Sequence, residues 1–592
     1  MQGASFIQLW NDIGGKRMYR TEHPNPQFQR DTYECLNGTW EFEIGTGEDK
    51  INTKLEGNIQ VPFCVESELS GVGVREHFKH CIYSKEIQVE EETLKGRYVL
   101  HFGAVDHDAK VFCNGVFVGE HSGGYTPFEI DIAPYCVVGK NRITVLVSDD
   151  IHANVPSGKQ TNRDASFGCF YTRVTGIWQT VWLERTPKNY IKNFRFYPSA
   201  KEGKVQVEVE VEGTGEVEID ISYQGKIMGS AQSEVKHRYY FNIPLAESYL
   251  WELGCGRLYD VAIRFGEDKV QSYFGLRDVE FQGKQFLLNG ECVFQRLVLD
   301  QGYYKKGLYT AGSDEDFLAD IKRGIQLGFN GARLHQKLFE PRFLYHCDKM
   351  GYMVWGEYAS WGVHYYNLDG LSQFSREWTE AVERDFNHPS IVIWCPLNET
   401  WMDLQETEKA RDIRFVEAVY GLTKALDKTR PCVDVSGGYH GKVTDLWDIH
   451  NYYGPKELEE ELRLLEEKGI VRFGEGEINS PQYQEEGAIY DGQLPVQISE
   501  YGGVSFSADE EGWGYISSSN EEEFIQGYID RTKLLLNSPI LSGFCYTQLY
   551  DIEQEQNGLF NYDRECKFSE IGMERIAECN RQIARIEKDG MN

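Results

Sequence analysis

The chain has 592 residues, too many for one hydrophobic core, and its 41% hydrophobic and 26% charged residues are typical of a soluble multidomain protein. Acidic residues outnumber basic ones by 93 to 61, which gives a formal net charge of -32. Such a surface repels phosphate backbones and anionic lipid headgroups, so the charge argues against nucleic acid and membrane partners.

The N-terminal stretch and the cysteines predict the compartment. Residues 1–20 lack the basic head, apolar core and small-residue cleavage site of a signal peptide, and no apolar run is long enough to span a bilayer. The 14 cysteines form no CxxC pairs, and Cys113, Cys395 and Cys545 lie inside apolar stretches. We expect reduced, buried thiols in a cytoplasmic protein rather than a disulfide framework.

Two β-rich regions come first. From about residue 35 to 185, short strands alternate with turns, and in "VFCNGVFVG" the pair Asn114-Gly115 lies where a tight hairpin requires positive φ. From residue 186 to 277, "KVQVEVEVEGTGEVEID" alternates Val with polar residues, which puts one face in a core and the other in water. This predicts an antiparallel sandwich followed by a second, smaller sandwich.

After residue 278, short apolar strands alternate with helices such as "DEDFLADIKRGIQLG", for which Ser313 is the expected N-cap and Gly328 lies near the C-cap. The strand candidates are "VFQRLVLDQ", "FNGARLH", "YMVWGEY", "IVIWCPLNE", "CVDVSGG", "DIHNYYG", "VQISEYGG" and "GFCYTQLYD". Eight such units predict a (β/α)8 barrel. A doubly wound sheet is the alternative, but no glycine-rich phosphate motif follows the first strand.

Polar residues cluster where these strands end, which is where such barrels build their active sites. The candidates are Asp300, Gln301, His335, Glu357, Asn398, Glu399, Tyr452, Glu500, Gln548 and Asp551. Aromatic residues lie among them: Trp355, Trp361, Trp394, Trp401, Tyr453, Tyr501 and Tyr546. This mixture suits a sugar, whose ring faces stack on aromatic side chains while its hydroxyls bind polar ones.

Two glutamates predict a reaction. Glu399 ends the fourth strand and Glu500 the seventh, so they face each other across the barrel mouth. Hydrolysis of a glycosidic bond with retention needs one carboxyl group as acid/base and a second as nucleophile, about 5 to 5.5 Å away. Either glutamate alone is more often a salt-bridge partner, and Tyr452 and His335 could equally be an ordinary rim aromatic and a satisfied strand-end histidine.

A metal or cofactor is not expected. His335, Glu357 and Asp300 carry suitable donor atoms, but their spacing is not that of a metal site.

Over about residues 35 to 575, the sequence resembles glycoside hydrolase family two. "NGVFVGEHSGGYTPFEIDI" (114–132) and "TGIWQTVWLE" (175–184) resemble the family's sugar-binding jelly roll, and "GFNGARLHQ" (328–336) resembles its second barrel strand. The resemblance implies a jelly roll at 1–185, an immunoglobulin-like sandwich at 186–277 and a catalytic TIM barrel at 278–592. It also implies a carbohydrate or glycoside substrate and allows a homo-oligomer.

The resemblance also implies roles. Glu399 matches the family's general acid/base, and Asn398 the residue that binds the sugar 2-hydroxyl. Glu500 matches the nucleophile, Tyr452 the tyrosine that hydrogen-bonds it, and His335 the histidine of strand two. By this resemblance the protein would be an exo-acting retaining β-glycosidase.

The chain departs from the family at several positions. After the first barrel strand it reads "RLVLDQGYY", so Asp300 and Gln301 are expected to replace an Arg-His pair. Tyr546 is expected to replace the tryptophan of strand eight as the stacking floor. Phe170 stands where many members of the family place an aspartate in the first domain.

One departure bears on the substrate. β-Glucuronidases of the family bind the substrate carboxylate with an Asn-x-Lys motif, and the comparable positions here are Glu555 and Asn557. Since an acidic residue would repel a uronate, we expect a neutral sugar, with galactose ahead of glucose, xylose, arabinopyranose and galactofuranose. A β-glucuronidase or other uronate-specific enzyme is the alternative. Glu357 is also expected at the sugar, and Trp401 at the aglycone, where core packing would explain it equally well.

Two further classes stay open. A non-catalytic carbohydrate-binding protein would keep the fold without the chemistry, although the presence of both glutamates argues against it. A lyase or transglycosylase would use the same carboxylates.

Overall fold

The computed structural model describes residues 20–400, 412–438, 440–469, 472–473, 476–477, 490, 492–506 and 512–589.

The first region is an antiparallel sandwich of a six-stranded and a four-stranded sheet around one apolar core. In sheet order, the first has Gly57–Val61, Gly38–Ile44, His80–Val89, Gly139–Ser148, Asp108–Cys113 and Val116–Ser122, and the second has Glu34–Cys35, Val181–Thr186, Arg97–Phe102 and Phe128–Asp131. Val105–Asp106 pairs separately with Gly176–Ile177. The expected hairpin turn forms at Asn114 and Gly115, with φ of 51° and 79°.

The second region is a smaller sandwich built on a long bent hairpin. Its strands are Tyr190–Ser199, Lys204–Tyr223, Lys226–Pro244, Tyr259–Phe265 and Asp268–Phe274. The alternating valines of the "VQVEVEV" stretch are buried in its core, as the pattern predicts. The hairpin shifts register between Glu210 and Thr214, beside Gly213 at φ 106°, so one long strand can serve two layers.

The third region is a curled parallel sheet with helices outside it. The barrel strands in chain order are Gln295–Asp300, Gly331–Leu334, Met353–Glu357, Ile391–Cys395, Trp447–Asn451, Val496–Gly502 and Leu541–Thr547. The helices are Asp314–Gln326, Pro341–Met350, Leu368–Asp385, Ile413–Leu426, Pro455–Lys468, Glu521–Asn537, Glu570–Asn580 and Arg585–Asp589. Ser313 caps the first helix, where Asp316 accepts a hydrogen bond from its backbone N–H at 2.9 Å. The fold is therefore the predicted combination of sandwiches and a C-terminal TIM barrel.

The expected fifth barrel strand differs from the prediction. "CVDVSGG" forms only isolated parallel bridges, Trp394 with Cys432 and Asn398 with Ser436, instead of a continuous strand. Side chains complete the wall here, since Ser436 Oγ lies 2.9 Å from Ser499 Oγ, a residue of the seventh predicted strand.

Several short strands lie outside these sheets. A three-stranded sheet precedes the barrel and consists of Val279–Gln282, Gln285–Leu288 and Glu291–Cys292. Two strand pairs lie in the barrel region, Arg472–Phe473 with Gly476–Glu477 and Val504–Ser505 with Ile516–Ser517.

A loop of the first sandwich, residues 150–172, covers the mouth of the barrel. The backbone N–H groups of Ser157 and Gly158 donate to the carbonyl of Trp361 at 2.8 and 3.0 Å. Gly158 has φ 60°, and a Cβ there would lie 2.3 Å from the Gln336 carbonyl oxygen. Only glycine permits this close approach, so the sequence of the loop fixes how the first domain meets the barrel.

The cysteines and the helices bear on the predicted compartment. All 14 cysteines lie in the described parts of the chain as free thiols, of which eight are buried, five are partly buried and one, Cys566, is exposed. Among the described helices, none has the length and apolarity needed to cross a bilayer. The cytoplasmic location stays a prediction.

Candidate active site

Arg333 organises the centre of the barrel mouth. It belongs to the strand Gly331–Leu334, and its side chain is completely buried. Its guanidinium donates to Glu357 at 2.6 Å, to Glu500 at 2.8 Å and to Asn398 Oδ1 at 2.6 Å. Because the guanidinium is planar and rigid, these contacts fix three strand ends relative to one another.

Glu500 is held as an anion. It lies within the strand Val496–Gly502 and is 5% exposed. The hydroxyl of Tyr452 donates to its second oxygen, opposite the one bound by Arg333. Burial alone would raise the pKa of Glu500, but the positive charges of His450 and Arg333 outweigh it and hold the pKa well below its usual range.

Glu399 follows the strand Ile391–Cys395 and has φ 41°, a left-handed conformation that non-glycine residues rarely adopt outside functional sites. Its backbone N–H donates to Ser436 O at 2.9 Å, and its side chain is 17% exposed. His450 Nδ1 lies 2.6 Å from its carboxylate. Burial lowers the pKa of His450, but Glu500 and Glu399 raise it more, which favours the charged imidazolium between the two carboxylates.

The two glutamates are close enough to act on one bond. One oxygen of Glu399 lies within 4.8 Å of one oxygen of Glu500, and a nitrogen of His450 lies within the same distance of both. These three donor atoms could hold a cation, but the Arg333 guanidinium already binds an oxygen of Glu500 and supplies positive charge there. The arrangement therefore favours acid–base and nucleophilic chemistry by the side chains themselves.

Asn398 presents a donor to the site. Its Oδ1 accepts from Arg333, its N–H donates to Ser360 Oγ at 3.1 Å, and its carbonyl accepts from Trp361 Nε1 at 3.0 Å. Its Nδ2 is buried and has no hydrogen-bond partner among the described residues. A buried amide donor without a partner is available to a ligand hydroxyl.

Aromatic rings flank the nucleophile candidate. Tyr452 stacks on Tyr515 with ring centroids 3.6 Å apart and planes 7° apart. Tyr515 is 45% exposed, so this pair forms a wall from Glu500 out to the solvent.

The opposite wall is a ring of neutral groups around one carboxylate. Tyr171 and Asn557 donate to the two oxygens of Glu555, Gln548 donates to Asn557 at 2.8 Å, and Gln301 donates to both Tyr171 and Gln548. Each of these five side chains belongs to a residue at most 4% exposed. Burial raises the pKa of Glu555 above its usual value, although the charge of Lys159 and the hydrogen bonds from Tyr171 and Asn557 lower it. One domain supplies Tyr171 and another the remaining four residues.

Lys159 also faces this site from the first sandwich. It is 7% exposed, and its Nζ lies 3.9 Å from the centroid of the Trp361 ring. Burial lowers the pKa of Lys159, but Cys169, Glu555, Glu399 and Glu500 raise it more, so the amine is charged.

Two predicted substrate residues stand behind the first layer of the site. The Glu357 side chain is completely buried and accepts from Arg333 and, at 3.0 Å, from Gln336 N–H. His335 Nδ1 lies 3.0 Å from the same carboxylate, and burial lowers the pKa of His335, so its ring is neutral. Glu357 therefore orients Arg333 and His335, and its expected contact with the sugar stays a prediction.

Asp300 is held by the turn that follows its strand, and its expected contact with the sugar stays a prediction. Its carboxylate accepts from the Gly302 N–H at 2.8 Å, and burial together with nearby Asp320 raises its pKa to about 6. Its carboxylate is hydrogen-bonded within its own turn, whereas the neighbouring Gln301 belongs to the ring of residues around Glu555.

Tyr546 lies on the outer face of its strand. Its ring packs between Tyr501 and Tyr528, with centroids 5.4 and 4.8 Å away, on the helix side of the strand Leu541–Thr547. Successive strand residues point to opposite faces, so Thr547, at 3.4 Å from the Tyr452 hydroxyl, faces the site instead. Trp401 lies outside the described residues.

Three central residues were missed at the sequence level. Arg333 stands two positions before His335, and His450 two positions before Tyr452, so the period of a strand already assigned them to the same face. No such signal existed for Lys159, because it comes from a loop of another domain.

Sandwich domains on a TIM barrel, with two carboxylates facing each other at the strand ends, define a barrel enzyme of the glycosidase type. The chain matches the family model described as glycosyl hydrolases family 2, sugar binding domain, over residues 35–187, and the TIM barrel domain model of the same family over residues 279–504. The chain belongs to glycoside hydrolase family 2 and is an enzyme that acts on glycosidic bonds.

Individual relatives carry different substrate names. A β-glucuronidase of Streptococcus agalactiae is 26% identical over 480 residues, covering 72% of this chain and 76% of that protein. A β-galactosidase of Thermoanaerobacter pseudethanolicus is 27% identical over 425 residues, covering 67% of this chain but only 53% of its own length. The solved β-glucuronidase of Bifidobacterium dentium superimposes with a TM-score of 0.77 at 19% identity, covering 94% of this chain and 98% of that one. At this identity the last comparison establishes the fold alone.

Proposed function

We propose that the protein is a retaining exo-β-glycosidase in which Glu500 attacks the sugar and Glu399 transfers the proton. The observation that carries this proposal is the separation of at most 4.8 Å between their closest oxygens. Retaining enzymes have carboxyl groups about 5 to 5.5 Å apart, whereas inverting ones need about 6.5 to 9.5 Å to admit a water molecule.

In the first step, the Glu500 carboxylate forms a bond to the anomeric carbon while the bond to the leaving oxygen breaks. That oxygen takes the proton of Glu399, so a neutral alcohol departs and a glycosyl ester of Glu500 remains. The low pKa of Glu500 favours a good leaving group in the following step, and the Tyr452 hydroxyl holds the attacking carboxylate in place.

In the second step, Glu399 removes a proton from water, and the resulting hydroxide attacks the same carbon. The ester bond breaks, Glu500 returns as an anion, and the sugar leaves with its original β-configuration. His450 supports both steps, since its Nδ1 lies 2.6 Å from Glu399. A cation there stabilises the glutamate after it has given up its proton.

The buried ring around Glu555 supports exo action. Its side chains belong to residues at most 4% exposed and form a closed wall on one side of the site, which would suit a terminal sugar better than a continuing chain. The unpartnered Nδ2 of Asn398 would bind a hydroxyl next to the anomeric carbon. The division of the chain near residues 185 and 277 belongs to the same proposal, supported by three separate sets of strands.

The class of sugar is a finer part of the proposal. The expectation of a neutral, galactose-like sugar rested on Glu555, whose oxygens both accept hydrogen bonds within the protein. The names of the relatives divide between β-glucuronidase and β-galactosidase, with the former more frequent among them. Glucuronic acid carries a carboxylate at C5 where galactose carries a hydroxymethyl group, and the two sugars also differ in configuration at C4. The protein group that would recognise the carboxylate is Lys159.

Two variants and a product analysis test the reaction. We expect Glu500→Gln and Glu399→Gln each to lower kcat by at least about 10³-fold on whichever p-nitrophenyl β-glycoside is cleaved, and azide to restore part of the Glu399→Gln rate. Proton NMR of the first product formed should show the β-anomer. The exposed Glu574→Gln is the matched control and should keep the full rate.

An α-anomer as first product would replace the retaining mechanism by an inverting one. Full activity of Glu500→Gln would remove the proposed nucleophile. If a broad panel of neutral and acidic glycosides bound without being cleaved, a carbohydrate-binding role would take precedence.

A further inference from the structure

We propose that Lys159, which comes from the first sandwich and not from the barrel, binds a carboxylate of the substrate sugar and makes the enzyme selective for an acidic sugar. This inference rests on the proposed glycosidase function, because it assigns a substrate class to the same site.

The first support is the isolation of the amine. Lys159 is 93% buried, and its Nζ contacts the face of Trp361 at 3.9 Å. Within the described part of the chain, this nitrogen forms no ion pair or hydrogen bond, and the carboxylates of Glu555, Glu399 and Glu500 act on it through their charge alone. An ammonium held on a largely buried side chain without an acceptor favours a ligand that supplies one.

The second support is the rigidity of its position. The adjacent Gly158 is anchored to the Trp361 carbonyl at 3.0 Å, and the Lys159 carbonyl accepts from Tyr171 N–H at 2.8 Å. Tyr171 in turn donates to Glu555. The backbone is thus held on both sides, so the amine is preorganised at the wall opposite the catalytic pair, which reduces the entropic cost of binding.

The third support is the balance of charge in the reacting state. Arg333, His450 and Lys159 are cations, while Glu357 and Glu500 are anions. Before the first step Glu399 must carry its proton. Arg333 and His450 pair with glutamates of the barrel, whereas Lys159 makes no ion pair among the described residues, so one substrate carboxylate would supply its partner.

Glu555 does not take this role away from Lys159. Its two oxygens accept from Tyr171 and Asn557, so its lone pairs face protein donors and not a ligand.

The test compares matched pairs of p-nitrophenyl glycosides: β-D-glucuronide with β-D-glucoside, and β-D-galacturonide with β-D-galactoside. We expect one uronide to be cleaved with a kcat/KM at least about 100-fold above its neutral partner. Lys159→Met should lower that ratio by about 100-fold or more, because truncating one member of a buried charge pair has effects of this size. The exposed Lys201→Met is the matched control and should leave the ratio unchanged.

A binding experiment separates this inference from the catalytic proposal. Calorimetry on Glu500→Gln should detect the free uronic acid and much weaker binding of the neutral sugar, and the added Lys159→Met change should abolish the difference. Thermal unfolding of Lys159→Met should show no loss of stability, since an apolar side chain replaces a buried charge without a partner.

Each outcome bears on a different claim. Cleavage of neutral glycosides alone, or equal loss on both members of a pair in Lys159→Met, would overturn the carboxylate role while leaving the glycosidase function intact. Lys159-dependent binding of a uronate without any cleavage would support the carboxylate role and refute the glycosidase function. Neither binding nor cleavage of any uronide would overturn the role of Lys159.

Discussion

The two sides of the sugar site are built in different ways. On the reacting side, residues of the barrel form a dense network of charges in which Arg333 contacts Glu500, Asn398 and Glu357. On the opposite side, two domains meet in a ring of amides and hydroxyls around Glu555, with Lys159 beside it. The reacting side is rich in charged groups that all come from the barrel. The opposite side consists mostly of uncharged groups and is built by the barrel and the first sandwich together.

This difference separates two tasks. Parallel strands place their C-terminal ends at fixed positions, so a barrel can hold charges with the accuracy that bond-making requires. A wall shared between domains can change one residue without disturbing those positions. We therefore expect changes on the barrel side to abolish the reaction and changes on the shared side to alter which sugar reacts.

The largest effect is expected from Arg333→Met. Activity should fall by at least about 10³-fold, and the free energy of unfolding should fall by about 3–5 kcal/mol, because Glu357 would be left as a buried anion without its partner. The double variant Arg333→Met/Glu357→Gln should recover much of the stability, measured by denaturant unfolding, and none of the activity. Recovery of activity in the double variant would show that Arg333 acts only as a structural partner.

A smaller effect, with a distinct signature, is expected from His450→Gln. The positive charge of His450 helps to hold the pKa of Glu500 below its usual range, so removing that charge raises this pKa. Since the nucleophile must be ionised, the low-pH limb of the kcat/KM profile should move to higher pH, and the rate at neutral pH should fall by roughly 10- to 100-fold. The exposed His237→Gln should leave the profile in place. If the low-pH limb of the profile does not move in His450→Gln, that limb reports the titration of a group other than Glu500.

The smallest effect is expected at the shared wall, from Gly158→Ala. Both Gly158 and Gly225 have positive φ, 60° and 78°, but a Cβ on Gly158 would lie 2.3 Å from the Gln336 carbonyl oxygen, and one on Gly225 meets nothing within 4 Å. Alanine would therefore be strained by the positive φ at both positions, but only Gly158→Ala would also create a clash. We expect kcat/KM to fall by about tenfold in Gly158→Ala and to stay unchanged in Gly225→Ala. Equal activity of the two variants would mean that the loop does not set the site.

Some residues of the site were accessible from sequence and others were not. Asn398 and Glu399 follow a continuous apolar strand, and Glu500 ends another, so their meeting at one barrel mouth follows from strand direction. Tyr546 was predicted at the site because it stands near a strand end, but the alternation of side chains turns it outward and Thr547 inward. The sequence also contained no sign that the carboxylate of Asp300 accepts a hydrogen bond within its own turn.

The sequence by itself determined the sandwiches, the barrel and the family, because hydrophobic period and strand–helix alternation are local properties that a single chain displays. It also determined that Glu399 and Glu500 lie on strands at opposite sides of the mouth. Only the tertiary structure decided the role of Glu357 behind Arg333, the bridge made by His450, and the arrival of Lys159 from a different domain. These depend on contacts between residues far apart in the chain, where burial and neighbouring charge, and not residue type, set what a side chain can do.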